Sequence, residues 1–317
     1  METRTTLDKT LLRTSKKSLT GIKKWPYIFS LPFVVTYLAF HFYPVVYSFY
    51  LSLNDWNGVG PKTFVGFKNY VNLLTNDPLF YKSLYNTFLI MLMSLPVTLF
   101  LGMLLAYIIF NLTKGRHVFQ TVNFLPYITT PVAIGFIFSF MFDWKVGLVN
   151  QLIVKLGWME EGVYWLQEPW AARCIIAFMV IWKFLGYFMA IYLSGMTAIP
   201  HDLYEAARVD GSSGFHLFTH ITLPLLKNIT IFLVVTSIIG GWQLFDEPKL
   251  LYDGAGSSGV GGPENAALTV IWKFVDDSFI SNNRFGYSSA IAYTLFVIII
   301  IFSIASYKLS SGREEKL

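Results

Sequence analysis

The stretch Ile199-Pro200-His201-Asp202-Leu203-Tyr204-Glu205-Ala206-Ala207-Arg208-Val209-Asp210-Gly211, running on through Ser212-Ser213-Gly214-Phe215 to Ile221-Thr222-Leu223-Pro224-Leu225-Leu226, decides how the chain is organised. Pro200 closes the helix before it, because its ring clashes with a continuing helical backbone. Asp202 followed by Glu205 has the spacing of a capping box, in which each side chain satisfies a free backbone N–H at a helix start. Leu203, Ala206 and Ala207 then share one face at helical spacing. Gly211 stands where a helix C-terminus takes a left-handed residue. A second short helix is expected from Ser212 or Ser213, and Pro224 marks the start of the apolar run beyond. The product is a helix-turn-helix whose exposed face carries alanines, an acid and one leucine. Such a face forms no core of its own, but it lets another protein approach its backbone closely.

The flanks of this stretch are made for lipid. Of 317 residues, 54% are hydrophobic and only 14% charged, against about 25% charged in an average soluble domain. The 29 Phe, 18 Tyr and 9 Trp suit a chain with lipid on most sides and amphipathic rings at the interfaces. A spanning helix needs about 20 apolar residues to cross about 30 Å of hydrocarbon. Stretches free of Asp, Glu, Lys and Arg occur at 25–54, 83–113, 117–142, 228–245 and 285–307, and a sixth, 174–201, is interrupted only by Lys183. The expected fold is an all-α polytopic membrane protein with six transmembrane helices. Its transmembrane domain spans 25–308, with tails at 1–24 and 309–317.

Lys and Arg bias orients the spans. With the N-terminal tail inside, the segments 1–24, 111–117, 197–227 and 308–317 carry 14 basic and 7 acidic residues. The opposite segments 53–85, 143–172 and 246–286 carry 8 basic and 12 acidic residues. Both termini and the loop 197–227 are therefore expected in the cytoplasm of a multi-pass cell-membrane protein. The basic tail reads as a topology anchor near anionic lipid, not a nucleic-acid arm. The first apolar run is too long for a signal-peptide core of about 7–15 residues. The single cysteine, Cys174, forms no internal disulfide and no Cys-based metal site.

Glu205-Ala206-Ala207, then Gly211, then Ile221-x-Leu223-Pro224 resembles the EAA loop of bacterial ABC importer permeases. Ala198-Ile199-Pro200 and Asp210-Gly211 resemble its carbohydrate branch. Ser237 to Pro248, with Gly240-Gly241 and Asp246-Glu247, and Phe285-Gly286-Tyr287-Ser288-Ser289-Ala290 resemble the maltose/lactose-type subunit. The resemblance implies the type I ABC importer permease fold. It also implies that Asp202, Leu203, Glu205, Ala206, Ala207, Asp210 and Gly211 form a coupling helix seated in an ATPase subunit. The assembly so implied contains a homologous second permease, two ATPase subunits, and an extracytoplasmic sugar-binding protein. ATP and magnesium belong to the ATPase partners, and no cofactor is expected in this chain. No Gly-x-x-x-x-Gly-Lys phosphate loop occurs in it, so it is not expected to be an enzyme.

A sugar path requires aromatic faces and a few hydrogen-bonding groups where water can enter. Three spans offer them, around Asn123, Tyr127, Thr129 and Thr130, around Trp182, Lys183, Gly186 and Tyr187, and from Ser237 through Gly240, Gly241 and Trp242 to Gln243. The maltose-type resemblance carries sugar contacts onto Tyr127, Trp182, Leu185, Gly186, Met189, Ser237 and Gly241. This sequence departs from that pattern with Trp182 and Gly241 where asparagine is expected. Lys183 at a helix centre costs roughly 2.5–3.5 kcal/mol on insertion scales, so it must face protein or water. It either lines the path and favours an acidic sugar, or snorkels or bonds a carbonyl across a helix interface. Substrates implied are a sugar or oligosaccharide, with glycerol phosphate, a polyol or an acidic oligosaccharide as alternatives.

Three patterns mislead. Gly254-Ala-Gly256-Ser-Ser-Gly259 matches the dinucleotide fingerprint literally but follows no strand and opens no helix. His216 and His220 share a helical face without a third metal ligand nearby. Asn111-Leu-Thr113 and Asn228-Ile-Thr230 match the glycosylation pattern on the expected cytoplasmic side. A secondary transporter would need buried acids along its path and repeated halves, and the six runs hold no Asp or Glu. An intramembrane enzyme would need convergent acid, base or nucleophile groups.

Overall fold

The computed structural model describes residues 24–256 and 259–311. The expected N-terminal tail apart from Lys24, residues 312–317 of the C-terminal tail, and Ser257 and Ser258 of the glycine-rich loop lie outside the described residues.

Four helices are long and apolar enough to cross a bilayer: Trp25–Ser52, Pro78–Asn111, Pro169–Thr197 and Phe285–Lys308. They are the first, second, fourth and sixth spans. The first contains a π-helical turn at Leu38–Phe42, and none of its apolar window is buried in the chain. Its C-terminal end meets the sixth span, where Ser48 and Tyr293 hydroxyls lie 3.2 Å apart. The second span begins where Asp77 accepts the Phe80 N–H at 3.0 Å and Pro78 occupies the first helical position, the residue pair that suits a helix N-terminus. At 34 residues it is roughly 50 Å long and projects beyond the hydrocarbon.

The second and fourth spans lie along one another through small residues, the usual means of close helix approach in lipid. A Cβ at Gly102 would come within 2.7 Å of the Phe188 Cβ. Met103, Ala106, Tyr192, Met196 and Leu233 form one buried cluster there.

The third and fifth of the six expected spans are each a bent pair of helices, and the described residues hold six spans when each pair is taken as one. Arg116–Ile128 and Pro131–Met141 meet at 93°. Thr129 and Thr130 are extended at the corner, as the residue before a proline prefers, and Thr130 caps the second limb by accepting the Ala133 N–H. The limbs have 13 and 11 residues, about 20 and 16 Å, so neither crosses the hydrocarbon alone. Gly214–Leu225 and Lys227–Trp242 meet at 62° just beyond Pro224.

Short elements close the other end. The helix Val270–Val275 is pinned by Lys273, whose Nζ lies 2.9 Å from both Asp77 and Asp277. Tyr287 donates to Asp77 at 2.5 Å. Asn86 donates to the Asn265 and Leu268 carbonyls and accepts from Arg173. A two-residue antiparallel ladder pairs Asn54–Asp55 with Thr63–Phe64.

Candidate functional site

Two features carry chemistry: a projecting loop at one end of the bundle and a cavity within it. The loop is a nine-residue helix, His201–Val209, entered through extended Pro200. The expected capping box is absent, because the helix begins one residue before Asp202, with no side-chain cap. Glu205 instead approaches His201 at 3.3 Å, one turn back. The C-terminus follows the expectation closely. Gly211 has φ +82°, its N–H donates to the Arg208 carbonyl, and the Ser212 N–H reaches back to Ala207, both at 3.0 Å. These two bonds define a Schellman motif. Ser213 caps the next helix by accepting the His216 N–H.

What holds the knob to the bundle was missed in the sequence. Tyr204 is buried, with its hydroxyl 3.1 Å from that of Thr222 and its ring 5.9 Å from Phe110. Tyr107, on the second span, donates to the Gly214 carbonyl at 2.9 Å and packs on Phe218. The outer face presents Leu203, Glu205 and Ala206, with Asp202 and Asp210 also exposed and Ala207 half-buried. Val209 and Phe215, 87% and 78% exposed, enlarge that apolar face.

The cavity measures about 730 Å³. Ser94 and Thr98 of the second span, Tyr127 of the third, and Thr236, Ser237 and Gly241 of the fifth contribute to its wall. Phe184 and Tyr187 of the fourth span add aromatic faces, with Tyr127 stacked on Tyr187 at 4.9 Å and edge-on to Phe184 at 5.8 Å. Gln243 also lines it.

Four of the path residues read from the sequence, Tyr127, Ser237, Gly241 and Gln243, thus share this cavity. The structure places the other four elsewhere. Trp182 lies against Phe138 at 5.6 Å, and Leu185 is half-buried off the cavity wall. Gly186 abuts the backbone of Asn123, and Met189 is fully buried between spans.

Lys183 neither snorkels nor bonds a carbonyl. Its Nζ meets Glu247 Oε1 at 2.6 Å, with the side chains only 12% and 7% exposed, and both residues line the cavity. Lys183 is the middle residue of Pro169–Thr197. Asp246 and Glu247 open the helix Asp246–Gly254, which packs on Pro131–Met141. The chain beyond Trp242 therefore remains at mid-span depth, so 246–247 cannot be assigned to an external segment. An acid does face the cavity, although the six apolar runs contain none. Ser94 and Thr98, four apart among the otherwise apolar residues 88–106, are the sequence signal for this wall.

With this geometry in hand, the similarities to known proteins are consistent. The family described as "Binding-protein-dependent transport system inner membrane component" matches residues 78–312. The chain is 32% identical to the arabinooligosaccharides transport system permease protein AraP of Bacillus subtilis, covering 92% of this chain and 90% of that one. It is 32% identical to the lactose transport system permease protein LacF of Rhizobium radiobacter, covering 97% and 99%. It is 30% identical to the trehalose/maltose transport system permease protein MalF of Thermococcus litoralis, covering 92% and 95%. A chain of a bacterial ABC transporter that imports the acidic polysaccharide alginate superposes with TM-score 0.80 at 24% identity, covering 95% of this chain and 100% of that one. The chain belongs to the binding-protein-dependent transport inner-membrane family.

Proposed function

We propose that the chain is one of two transmembrane subunits of an ATP-driven importer, passing a sugar or small oligosaccharide from an extracytoplasmic binding protein into a bacterial cell. The observation that carries this is mechanical. The knob is hydrogen-bonded to the helices that wall the cavity, since Tyr107 shares the second span with Ser94 and Thr98, and Thr222 leads into the fifth. A partner gripping Leu203, Glu205, Ala206, Val209 and Phe215 would move those walls.

ATPase subunits that bind ATP and magnesium suit that role, and hydrolysis belongs to them. Asp202, Ala207, Asp210 and Gly211 shape the knob they receive. The unburied apolar surfaces of the first, third and sixth spans are shared between lipid and a homologous second permease. Lys and Arg bias puts the knob and both termini in the cytoplasm. Aromatic faces beside hydroxyl and amide groups suit sugar rings, and permeases for arabinooligosaccharides, lactose and trehalose/maltose are among the relatives. Acids on the path would suit an ion-driven carrier, but the buried one, Glu247, has its charge taken up by Lys183.

The test is co-expression with the second permease and a tagged ATPase, then ATPase assay with and without liganded binding protein. Co-purification, with stimulation by one liganded binding protein, is the expected result. Failure to capture an ATPase by a correctly inserted chain refutes the coupling role.

A further inference from the structure

The charged side chains on the cavity wall are Lys183, Asp246 and Glu247. Lys183 and Glu247 are in contact at 2.6 Å and largely buried, so their attraction is little screened by water or salt. The ammonium that would otherwise receive an anionic ligand is consumed by the chain's own carboxylate. Asp246 is exposed beside it. Two carboxylates against one ammonium leave the wall with a net negative charge. Both acids lie in the first turn of Asp246–Gly254, where the helix dipole favours negative charge. The rest of the lining is aromatic, aliphatic, hydroxyl and amide, groups that bind sugar rings without regard to charge.

We propose that Lys183, Glu247 and Asp246 form a charge filter, admitting uncharged saccharides to the cavity and rejecting those that carry carboxylate, sulfonate or phosphate. The filter rests on the cavity being the saccharide path, but its electrostatic core is testable without a sugar. Lys183 is then a specificity-determining residue by virtue of being neutralised, the opposite of an anion receptor.

The experiment uses the full chain in membrane vesicles, with Cys174→Ser and a reporter thiol at Ser237→Cys on the cavity wall. Labelling rates are measured with a cationic trimethylammonium and an anionic sulfonate methanethiosulfonate, each normalised to a free thiol in solution. The cationic reagent should win by about tenfold, the lower end of what a one-sign cleft does to local ion concentration. Asp246→Lys leaves the buried pair intact and should reverse the preference. Glu247→Gln frees Lys183 and should abolish it. If Glu247→Gln does not insert, Asp246→Lys alone decides. Equal rates, or a faster anionic reagent, in the parent wall overturn the filter.

A second arm asks whether maltotriose or trigalacturonate slows labelling by a neutral methanethiosulfonate. The filter requires protection by maltotriose alone, with protection by trigalacturonate appearing in Asp246→Lys. Protection by trigalacturonate in the parent chain overturns it. Protection by neither sugar refutes the saccharide path, while the reagent rates still decide the filter.

Discussion

Gly186 is where a single methyl group should do the most damage. A Cβ built there lies 1.9 Å from the Asn123 carbonyl oxygen and 2.8 Å from the Phe124 Cα. An ordinary carbon–oxygen contact is about 3.3–3.6 Å, so Gly186→Ala must push the first limb of the third span away by roughly 1.5 Å. The obstacle is backbone, which cannot swing aside as a side chain could. Overpacking of this kind costs about 1–3 kcal/mol.

Alanine also gains roughly 1 kcal/mol over glycine in helix propensity, so the variant needs a control that shares the gain without the clash. Gly240 supplies it, since a Cβ there meets nothing within 4 Å. Gly186→Ala should therefore be less stable than Gly240→Ala by about 1–3 kcal/mol. Tyr127 sits one turn beyond Asn123 and moves with the limb, loosening its 4.9 Å stack on Tyr187 at the cavity wall. Uptake should fall with stability. The assay is thermal unfolding of both variants in one detergent, followed by loss of the monodisperse chromatographic peak. If Gly186→Ala matches or exceeds Gly240→Ala, the close approach of the third and fourth spans is wrong.

Three further outcomes are expected. Lys183→Met and Glu247→Leu should each destabilise, by up to about 3–5 kcal/mol for an uncompensated buried charge, while the double variant recovers most of the loss; additive losses in a thermal-unfolding cycle would show that the pair does not interact. Tyr204→Phe combined with Tyr107→Phe removes two hydrogen bonds that tie the knob to the bundle, worth about 1 kcal/mol each. ATPase capture should persist while uptake per ATP falls, and an unchanged ratio would refute the mechanical link. Burial pushes the Asp77 carboxyl up, but hydrogen bonds from Tyr287 and Lys273 and the Lys273 charge outweigh it and hold the carboxyl below its ordinary value. Its stabilisation is thus complete above the ordinary aspartate value of about 3.9 and drains away as pH falls through the lowered value. Asp77→Asn should flatten that acid limb of a stability–pH curve, and an unchanged limb counts against the cluster.

Much of the knob was legible because its signals are local. Pro200, Gly211, Ser213 and Pro224 act through backbone sterics and nearby N–H groups, and the Schellman closure at Gly211 and the Ser213 cap appear where their residue types demand them. The capping box failed for a reason equally local. Pro200 takes the N-cap position and the helix starts at His201, leaving Asp202 inside the first turn and not at the cap that the box requires. The burial of Tyr204 is not legible locally, because its partners, Phe110 and Thr222, come from elsewhere in the chain.

Sequence alone determined that the chain lives in lipid, that its apolar runs number six, and that a helix-turn-helix interrupts them after the fourth. These follow from run length and chain-local breakers, which hold whatever the neighbours do. Tertiary structure alone decided which faces of the fourth span meet the cavity and which meet Asn123. It also decided that the third span folds back at 93° and that Glu247 returns to the middle of the bundle to meet Lys183. In water, burial leaves an apolar stripe that a sequence displays. In a bilayer, lipid-facing and protein-facing sides are both apolar, so the stripe vanishes and only packing tells them apart.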